Sequence, residues 1–281
     1  MPFQSPLTRR LPGLPPRTGK LRSKLTFHLA LRFVVVCVSF AALLGVVITN
    51  KQAAHSAPSN SAVLTYKGDV SRTGQYLNET NLTTSNVNVA QFGKRMTYPT
   101  DGYAYAQPLY VPNVTINGSV RNVVYVATAH DSVYAFDADN VSSTDPLWHT
   151  SFINPPAITS VSSSFVGCGD LAPEIGITGT PVIDASTQTI YLISDTNEGG
   201  KLVDRLHALD ITTGQEKPGS PIQISASVPG TGDGSVNGII PFKAAHQHQR
   251  PGLLLQNGVV YAAWGSYCDN GAWHGWVMGY N

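Results

Sequence analysis

The sequence has little charge and no acidic residue near its start. Charged residues make up 12% of the 281 residues, and no Asp or Glu precedes Asp69. Seven Lys and Arg side chains precede residue 33. From residue 52 onward the chain has 10 basic and 17 acidic residues, which gives this part a net charge of −7. An acidic body lacks the basic face that binds phosphate backbones. We therefore expect no nucleic-acid partner.

The composition and the missing motifs exclude several other classes. Few Glu and Lys residues together with 26 Gly and 19 Pro disfavour a helical protein and suit short strands joined by tight turns. The chain contains no G-x-G-x-x-G, no P-loop, no H-E-x-x-H and no G-x-S-x-G. The dinucleotide-binding, nucleotide-hydrolysing, zinc-protease and serine-hydrolase classes therefore have no motif support.

One long apolar run, at residues 33–48, follows a basic leader at residues 1–32. Its length predicts a hydrophobic helix, intermediate between a signal-peptide core and a bilayer span. The positive-inside bias places the leader in the cytoplasm and the rest of the chain outside it. A retained signal-anchor would hold the body at the membrane, and a cleaved signal would release it as a secreted protein. Residues 49–62 are small and polar, which is typical of a linker.

Three segments of the body repeat one strand pattern, at residues 108–148, 181–210 and 251–281. Each begins with a Pro-led apolar strand. A strand centred on Val-Tyr or Ile-Tyr follows, at residues 123–129, 189–194 or 259–264. The last strand, at residues 133–137, 206–210 or 276–281, ends in Asp137, Asp210 or Asn281. Four short antiparallel strands repeated around an axis make a β-propeller blade. We therefore predict an all-β fold at residues 63–281 with about three such blades, a β-sandwich being the alternative.

Two of these repeats carry a family resemblance. AHDSVYAFDAD at 129–139, followed by Trp148, and HALDITTGQE at 207–216 resemble the repeat of quinoprotein alcohol dehydrogenase-like (PQQ-repeat) proteins, a strand ending A-x-D-x-x-T-G with a Trp after it. The first repeat lacks the Thr-Gly and the second lacks the Trp. The resemblance spans residues 63–281 and implies up to eight blades, so it leads us to expect a truncated, partial propeller.

The resemblance also implies chemistry, because enzymes of this family bind pyrroloquinoline quinone and Ca²⁺ and use an Asp as base. The predicted topology brings two loops, residues 165–176 and 266–275, to one face. Their candidate catalytic residues are Asp170, Glu174, Asp269 and His274. Their candidate Ca²⁺ ligands, which offer the hard oxygen atoms that this ion takes, are Asp170, Glu174, Asp269 and Asn270. Turn capping is the alternative role for these acids, and the adjacent cysteines that stack the quinone in the classical enzymes are absent.

Cysteine and tryptophan provide the remaining candidates. Cys168 and Cys268 are the only cysteines outside the apolar run, and in an oxidising compartment we expect them to pair, free thiols being the alternative. Trp264, Trp273 and Trp276 predict either an aromatic cofactor pocket or core packing. His246 and His248 lie two residues apart and could share a metal on a strand, but their Gly/Pro-flanked position favours a solvated pair.

Three functions follow from these observations. The first is a membrane-anchored, extracytoplasmic propeller that binds a protein or glycan as a scaffold or binding module. The second is a quinone- and Ca²⁺-dependent dehydrogenase. The third is a truncated fragment without independent activity. Fold alone does not choose between binding and catalysis.

Overall fold

The computed structural model describes residues 62–77, 79 and 82–281. All of them belong to one compact unit that spans residues 55–281. The basic leader, the apolar run and nearly all of the linker lie outside the described residues, so the predictions made for them stay predictions. Within residues 62–281 as described, no helix is long and apolar enough to cross a bilayer.

The described part is all-β, which confirms this part of the predicted fold class. The first sheet is an antiparallel meander of four strands that follow one another in the chain. Its strands are β1 (Leu109–Ile116), β2 (Ser119–Ala127), β3 (Ser132–Asp137) and β4 (Trp148–Ser151). Asn117 and Gly118, both with positive φ, form the two-residue turn between β1 and β2, as Asn-Gly pairs do in tight hairpins.

The second sheet contains a meander of the same kind and two additional short strands. Its strands are β5 (Ile158–Ser162), β6 (Glu174–Ile175), β7 (Val182–Asp184), β8 (Thr189–Glu198), β9 (Lys201–Asp210) and β10 (Ile222–Gln223). The chain pairs β7, β8, β9 and β10 in sequence order, and β5 pairs with the far end of β8. The β8–β9 hairpin is ten residues long on each side and turns at Gly199 and Gly200.

The third sheet repeats this arrangement after a separate hairpin. The hairpin consists of β11 (Ser227–Pro229) and β12 (Ile239–Pro241), and the sheet consists of β13 (Gln247–His248), β14 (Leu254–Gln256), β15 (Val259–Ser266) and β16 (Trp276–Tyr280). Here β14, β15 and β16 form the meander, and β13 pairs with the far end of β15, as β5 does with β8. All three predicted repeats therefore coincide with antiparallel meanders.

Neighbouring sheets are joined by aromatic side chains. Between the first two sheets, the Trp148 indole donates a hydrogen bond to the Ile211 carbonyl (2.9 Å), and the Tyr125 hydroxyl donates to the same oxygen (3.0 Å). Gly214 lies so close to this indole that an added Cβ would be 2.5 Å from it. Between the second and third sheets, Trp264 donates to the Asp204 carboxylate (2.9 Å).

The first strands of the three meanders lie close together at one place. Val63 exchanges backbone hydrogen bonds with Tyr110 of β1 (2.8 and 2.9 Å), and the next carbonyl, that of Leu64, accepts from Ile183 of β7 (2.8 Å). Leu253, which precedes β14, donates to the Thr180 carbonyl before β7 (2.9 Å). The meanders are antiparallel, so the loops before β1, β7 and β14 lie at the same end of the sheets as the C-terminal end of β15.

Candidate functional site

A cleft of about 550 Å³ opens at this end of the sheets, and we call it the Arg250 cleft. Its volume falls within the about 300–1,000 Å³ of ordinary ligand sites. Its lining comprises Tyr66, Tyr105, Thr178, Thr180, His248, Arg250, Pro251, Gly252, Gly265 and Ser266. These residues precede the first strand of each meander or end β13 and β15, so all three sheets build the site.

The segment from His248 to Gly252 forms one wall, and side-chain hydrogen bonds hold it. The Thr178 hydroxyl lies 2.8 Å from His248 Nε2 and donates to the Gln249 carbonyl (2.9 Å). Gln249 in turn donates from Nε2 to the Pro251 carbonyl (2.7 Å). A Cβ on Gly179 would meet Gln249 Oε1 at 2.1 Å. The wall therefore depends on a residue without a side chain at position 179.

Arg72 fastens the Tyr66 side of the cleft to the opposite wall. Its guanidinium donates to Thr65 Oγ1 (2.6 Å), to the Tyr66 carbonyl (2.9 Å) and to the Leu253 carbonyl (2.8 Å). Arg72 also lies 5.9 Å from the centre of the Tyr66 ring, within the range of a cation–π contact. This side chain is thus a structural clamp, because its donors are directed at the protein itself.

The cleft is electrically positive. Arg250 is exposed and forms no hydrogen bond or ion pair with any residue in the described part of the chain. None of the ten lining residues is acidic. Burial, and then the charge of Arg250, lowers the pKa of His248 to about 4, so this imidazole is neutral at neutral pH. Arg250 is therefore the one charged side chain among the lining residues. Lys67 and Arg72 lie 5.7 and 5.9 Å from the centre of the Tyr66 ring.

Three buried carboxyl groups lie behind this wall, and we call them the buried acid cluster: Asp131, Asp195 and Asp204. Each is at most 1% exposed and keeps one oxygen without a hydrogen-bond partner. Asp195 and Asp204 are directly opposite each other on β8 and β9, and the Asp195 amide donates to Asp131 (3.2 Å). Burial raises the pKa of all three, and the neighbouring carboxylates raise those of Asp131 and Asp195 further.

Tyr267 connects the buried acid cluster to the cleft. Its hydroxyl donates to Asp195 (3.0 Å), and its ring stacks on His248 at 4.7 Å between ring centres. Burial raises the pKa of Tyr267, so the phenol stays protonated. One side chain, Tyr267, thus separates the buried acid cluster from the cleft residue His248.

The carboxylates singled out in the sequence do not gather at one point. Glu174 lies on β6 and contacts His130 (2.9 Å). Asp269 accepts a hydrogen bond from Ser266 (2.5 Å), and Asp170 Oδ2 lies 3.7 Å from Cys268 Sγ. Across the described ranges, Cys168, Asp170 and Cys268 form the one group of three or more ligand atoms within 4.8 Å of one another.

That group is a poor metal site because its two sulfurs are bonded to each other. Cys168 and Cys268 form a disulfide with 5.6 Å between their Cα atoms, which ties the loop before β6 to the β15–β16 loop. Asn270 supports the same junction by donating to the Gly167 carbonyl (3.1 Å). His274 lies apart, with Nε2 2.8 Å from the Asp233 carbonyl.

The three candidate tryptophans do not line the Arg250 cleft. Trp264 and Trp276 are buried in the apolar core between the second and third sheets. Phe242 contacts both of them edge-on, at 5.4 and 5.7 Å between ring centres. Trp273 is 39% exposed. Core packing, the alternative role that the sequence left open, describes the first two.

The expectation of a solvated histidine pair is wrong for His248, which is 7% exposed. It lies on β13 rather than in a loop, because β13 pairs with the end of β15 and Tyr267 covers the ring. His246 lies outside that strand and is partly buried. The alternation of the AHQHQR segment was the one sequence signal that could have indicated a strand here.

His207 has the hydrogen-bond partners of a hydrolase triad, but substrate has no access to its serine. Ser194 Oγ lies 2.9 Å from His207 Nε2, and His207 Nδ1 contacts Glu216. A Ser–His–acid chain activates a nucleophile only where substrate reaches the serine. Ser194 is fully buried, and Phe152 stacks on the imidazole at 3.8 Å. We assign this arrangement to packing between the first two sheets.

Comparisons with known proteins add no family to this description: a scan against protein-family models found no matching family, and a search of curated proteins found no match.

Proposed function

We propose that the chain is an extracytoplasmic binding module of β-propeller architecture, with the Arg250 cleft as its ligand site. The single observation that carries the proposal is the cleft itself. It is built by all three sheets, has the volume of a ligand site, and contains a cation that has no partner among residues 62–77, 79 and 82–281. Concave sites with a few convergent polar groups are where proteins bind small ligands.

The sheet arrangement supports the propeller architecture. Three antiparallel meanders follow one another in the chain, and hydrogen bonds link the segments at their first strands. Trp148 of the first meander packs on Gly214 of the second. The contact brings together the Trp of the PQQ-repeat pattern, which the second repeat lacks, and its Thr-Gly, which the first repeat lacks. A sandwich would instead stack its sheets face to face.

The N-terminal sequence and the disulfide support a location outside the cytoplasm. A basic leader before an apolar run orients the following chain away from the cytoplasm, and disulfides persist in oxidising compartments. Under this proposal residues 33–48 anchor the chain in the membrane. Labelling of intact cells with a membrane-impermeant amine reagent tests it: the body is labelled if it lies outside and protected if it lies within.

A quinone dehydrogenase is the less supported alternative. Ca²⁺ takes six to eight oxygen ligands, yet Asp170, Glu174 and Asp269 are not gathered, and the cleft lining offers no carboxylate. The residues therefore do not fit the quinone–Ca²⁺ pair that the family resemblance implies.

Two measurements on the full-length protein test binding against catalysis. The first is a screen for binding to an array of neutral and acidic oligosaccharides. The second is calorimetric titration with pyrroloquinoline quinone, with and without Ca²⁺, followed by an assay for dye reduction. We expect binding on the array and no quinone binding. Ca²⁺-dependent quinone binding with dye reduction, by protein that unfolds cooperatively, would replace the binding module by the dehydrogenase.

A further inference from the structure

The charge of the Arg250 cleft restricts what it can hold. Arg250 is exposed and has no partner within the described residues, and the neighbouring His248 is neutral. A guanidinium pairs best with a planar anion, through two parallel hydrogen bonds to a carboxylate or a phosphate. The lining contains one Arg, no Lys and no helix end. A single cation balances a singly charged carboxylate better than a doubly charged phosphate.

Tyrosine rings provide the apolar part of the site. Tyr66 and Tyr105 line the cleft and are 39% and 38% exposed. Tyr103 lies beside Tyr105, with 6.1 Å between ring centres, and is 60% exposed. Exposed tyrosines combine a flat apolar face with a hydroxyl. The C–H face of a pyranose ring packs on such a surface, and its hydroxyls bond to the groups around it.

The remaining lining is polar and small. Thr178, Thr180, Ser266 and His248 make the lining polar, and their hydroxyl and imidazole groups already bond to protein partners. Gly252 and Gly265 leave stretches of backbone along the lining. The lining contains no Leu, Ile, Val, Phe or Trp. Small-molecule sites are lined mainly by hydrophobic and aromatic side chains, whereas this polar lining favours a ligand covered with hydroxyl groups.

We propose that the Arg250 cleft binds a uronate-containing saccharide, with Arg250 on the carboxylate and the ring of Tyr105 on a sugar face. This inference rests on the proposed binding function and names its ligand class. The two tyrosines and the arginine then divide recognition between them. The rings bind any pyranose of suitable shape, and the guanidinium selects the acidic one.

The test is calorimetric titration of the full-length protein with α-1,4-trigalacturonate and with its neutral counterpart α-1,4-galactotriose. We expect tighter binding of trigalacturonate. Arg250→Gln should weaken that binding about 10–100-fold, the value of a hydrogen bond to a charged group, and leave galactotriose binding unchanged. Arg95→Gln removes an exposed arginine outside the cleft and should change neither.

Tyr105→Ala should weaken both saccharides, whereas Tyr103→Ala, at a ring outside the lining, should have a smaller effect. Equal affinity for the two saccharides, or equal effects of Arg250→Gln and Arg95→Gln, would overturn the uronate inference and leave the binding function standing. Binding of neither saccharide would overturn the inference as well. The array and quinone measurements then decide the proposed function by themselves.

Discussion

Replacing the buried carboxyl group of Asp204 should remove the pH dependence that this group imposes on the free energy of unfolding. Burial raises the pKa of Asp204 from 3.8 to about 7, and hydrogen bonds from Trp264 and Asp195 offset this only in part. The folded chain therefore keeps a proton that the unfolded chain releases near pH 4. The stabilisation is complete below pH 4 and is lost as the pH rises to 7, which over about three units amounts to about 4 kcal/mol.

The variant Asp204→Asn isolates this contribution. An amide keeps an acceptor for the Trp264 indole and has no proton to lose. In urea unfolding we expect the variant to match the wild type within about 1 kcal/mol at pH 4. At pH 7 it should be more stable than the wild type by up to about 4 kcal/mol.

Asp184→Asn is the matched control with the opposite sign. Burial alone would raise the pKa of Asp184, but hydrogen bonds from Ser186 and Thr187 hold it below its usual value. Its contribution is present above pH 4 and lost as the pH falls, so Asp184→Asn should cost more at pH 7 than at lower pH. If Asp204→Asn destabilised the protein equally at every pH, Asp204 would be ionised in the fold and the reasoning would be refuted.

Two further predictions concern packing and the disulfide. Gly214→Ala should destabilise the protein by about 3 kcal/mol or more in urea unfolding, because the added Cβ would meet the Trp148 ring. The control is Gly219→Ala: Gly219 also has a positive φ, but no atom lies within 4 Å of an added Cβ. Equal losses of stability in the two variants would contradict the contact with Trp148. Cys268→Ser should lower the free energy of unfolding by up to about 4–5 kcal/mol, because it opens the loop of 100 residues that Cys168 closes. An unchanged urea midpoint under oxidising conditions would show that the disulfide does not form.

Local sequence patterns predicted the strands well wherever one face or both faces are apolar. Residues 123–129 and 133–137 were expected as strands from their Val, Tyr and Phe content, and β2 and β3 lie there. The Asn257-Gly258 turn likewise joins β14 and β15. These signals depend only on neighbouring residues in the chain, so they predict strands and turns without knowledge of the tertiary structure.

The β8–β9 hairpin shows where such patterns end too early. The repeat pattern predicted strands at 189–194 and 206–210, but the first strand continues to Glu198 and the second already begins at Lys201. The added residues include Asp195 and Asp204, which look like loop residues in the sequence and are buried in the structure. Their burial depends on Tyr267 and Trp264 from the third sheet, which no local pattern reveals.

The cleft was equally hidden from the sequence. Tyr66, Tyr105, Thr178 and Arg250 are spread over 185 residues of the chain and converge only because the first strands of the three meanders lie together. The predicted loop face was useful in a coarser way, since the β15–β16 loop carries Tyr267 behind the cleft wall. Asp170 and Asp269 were candidates because carboxylates are common metal ligands and bases. A cleft lined by hydroxyl groups and glycines has no residue pattern by which the sequence could reveal it.

Blocking the cleft tests the central claim most directly. Gly265 lines it, lacks a positive φ, and has nothing within 4 Å of an added Cβ, so Gly265→Phe fills the cleft without a clash at Cβ. Gly93→Phe, at an equally open glycine outside the lining, is the control. In calorimetric titration with trigalacturonate, the account predicts that Gly93→Phe binds like the wild type and Gly265→Phe does not bind. Undiminished binding by a folded Gly265→Phe variant would contradict it.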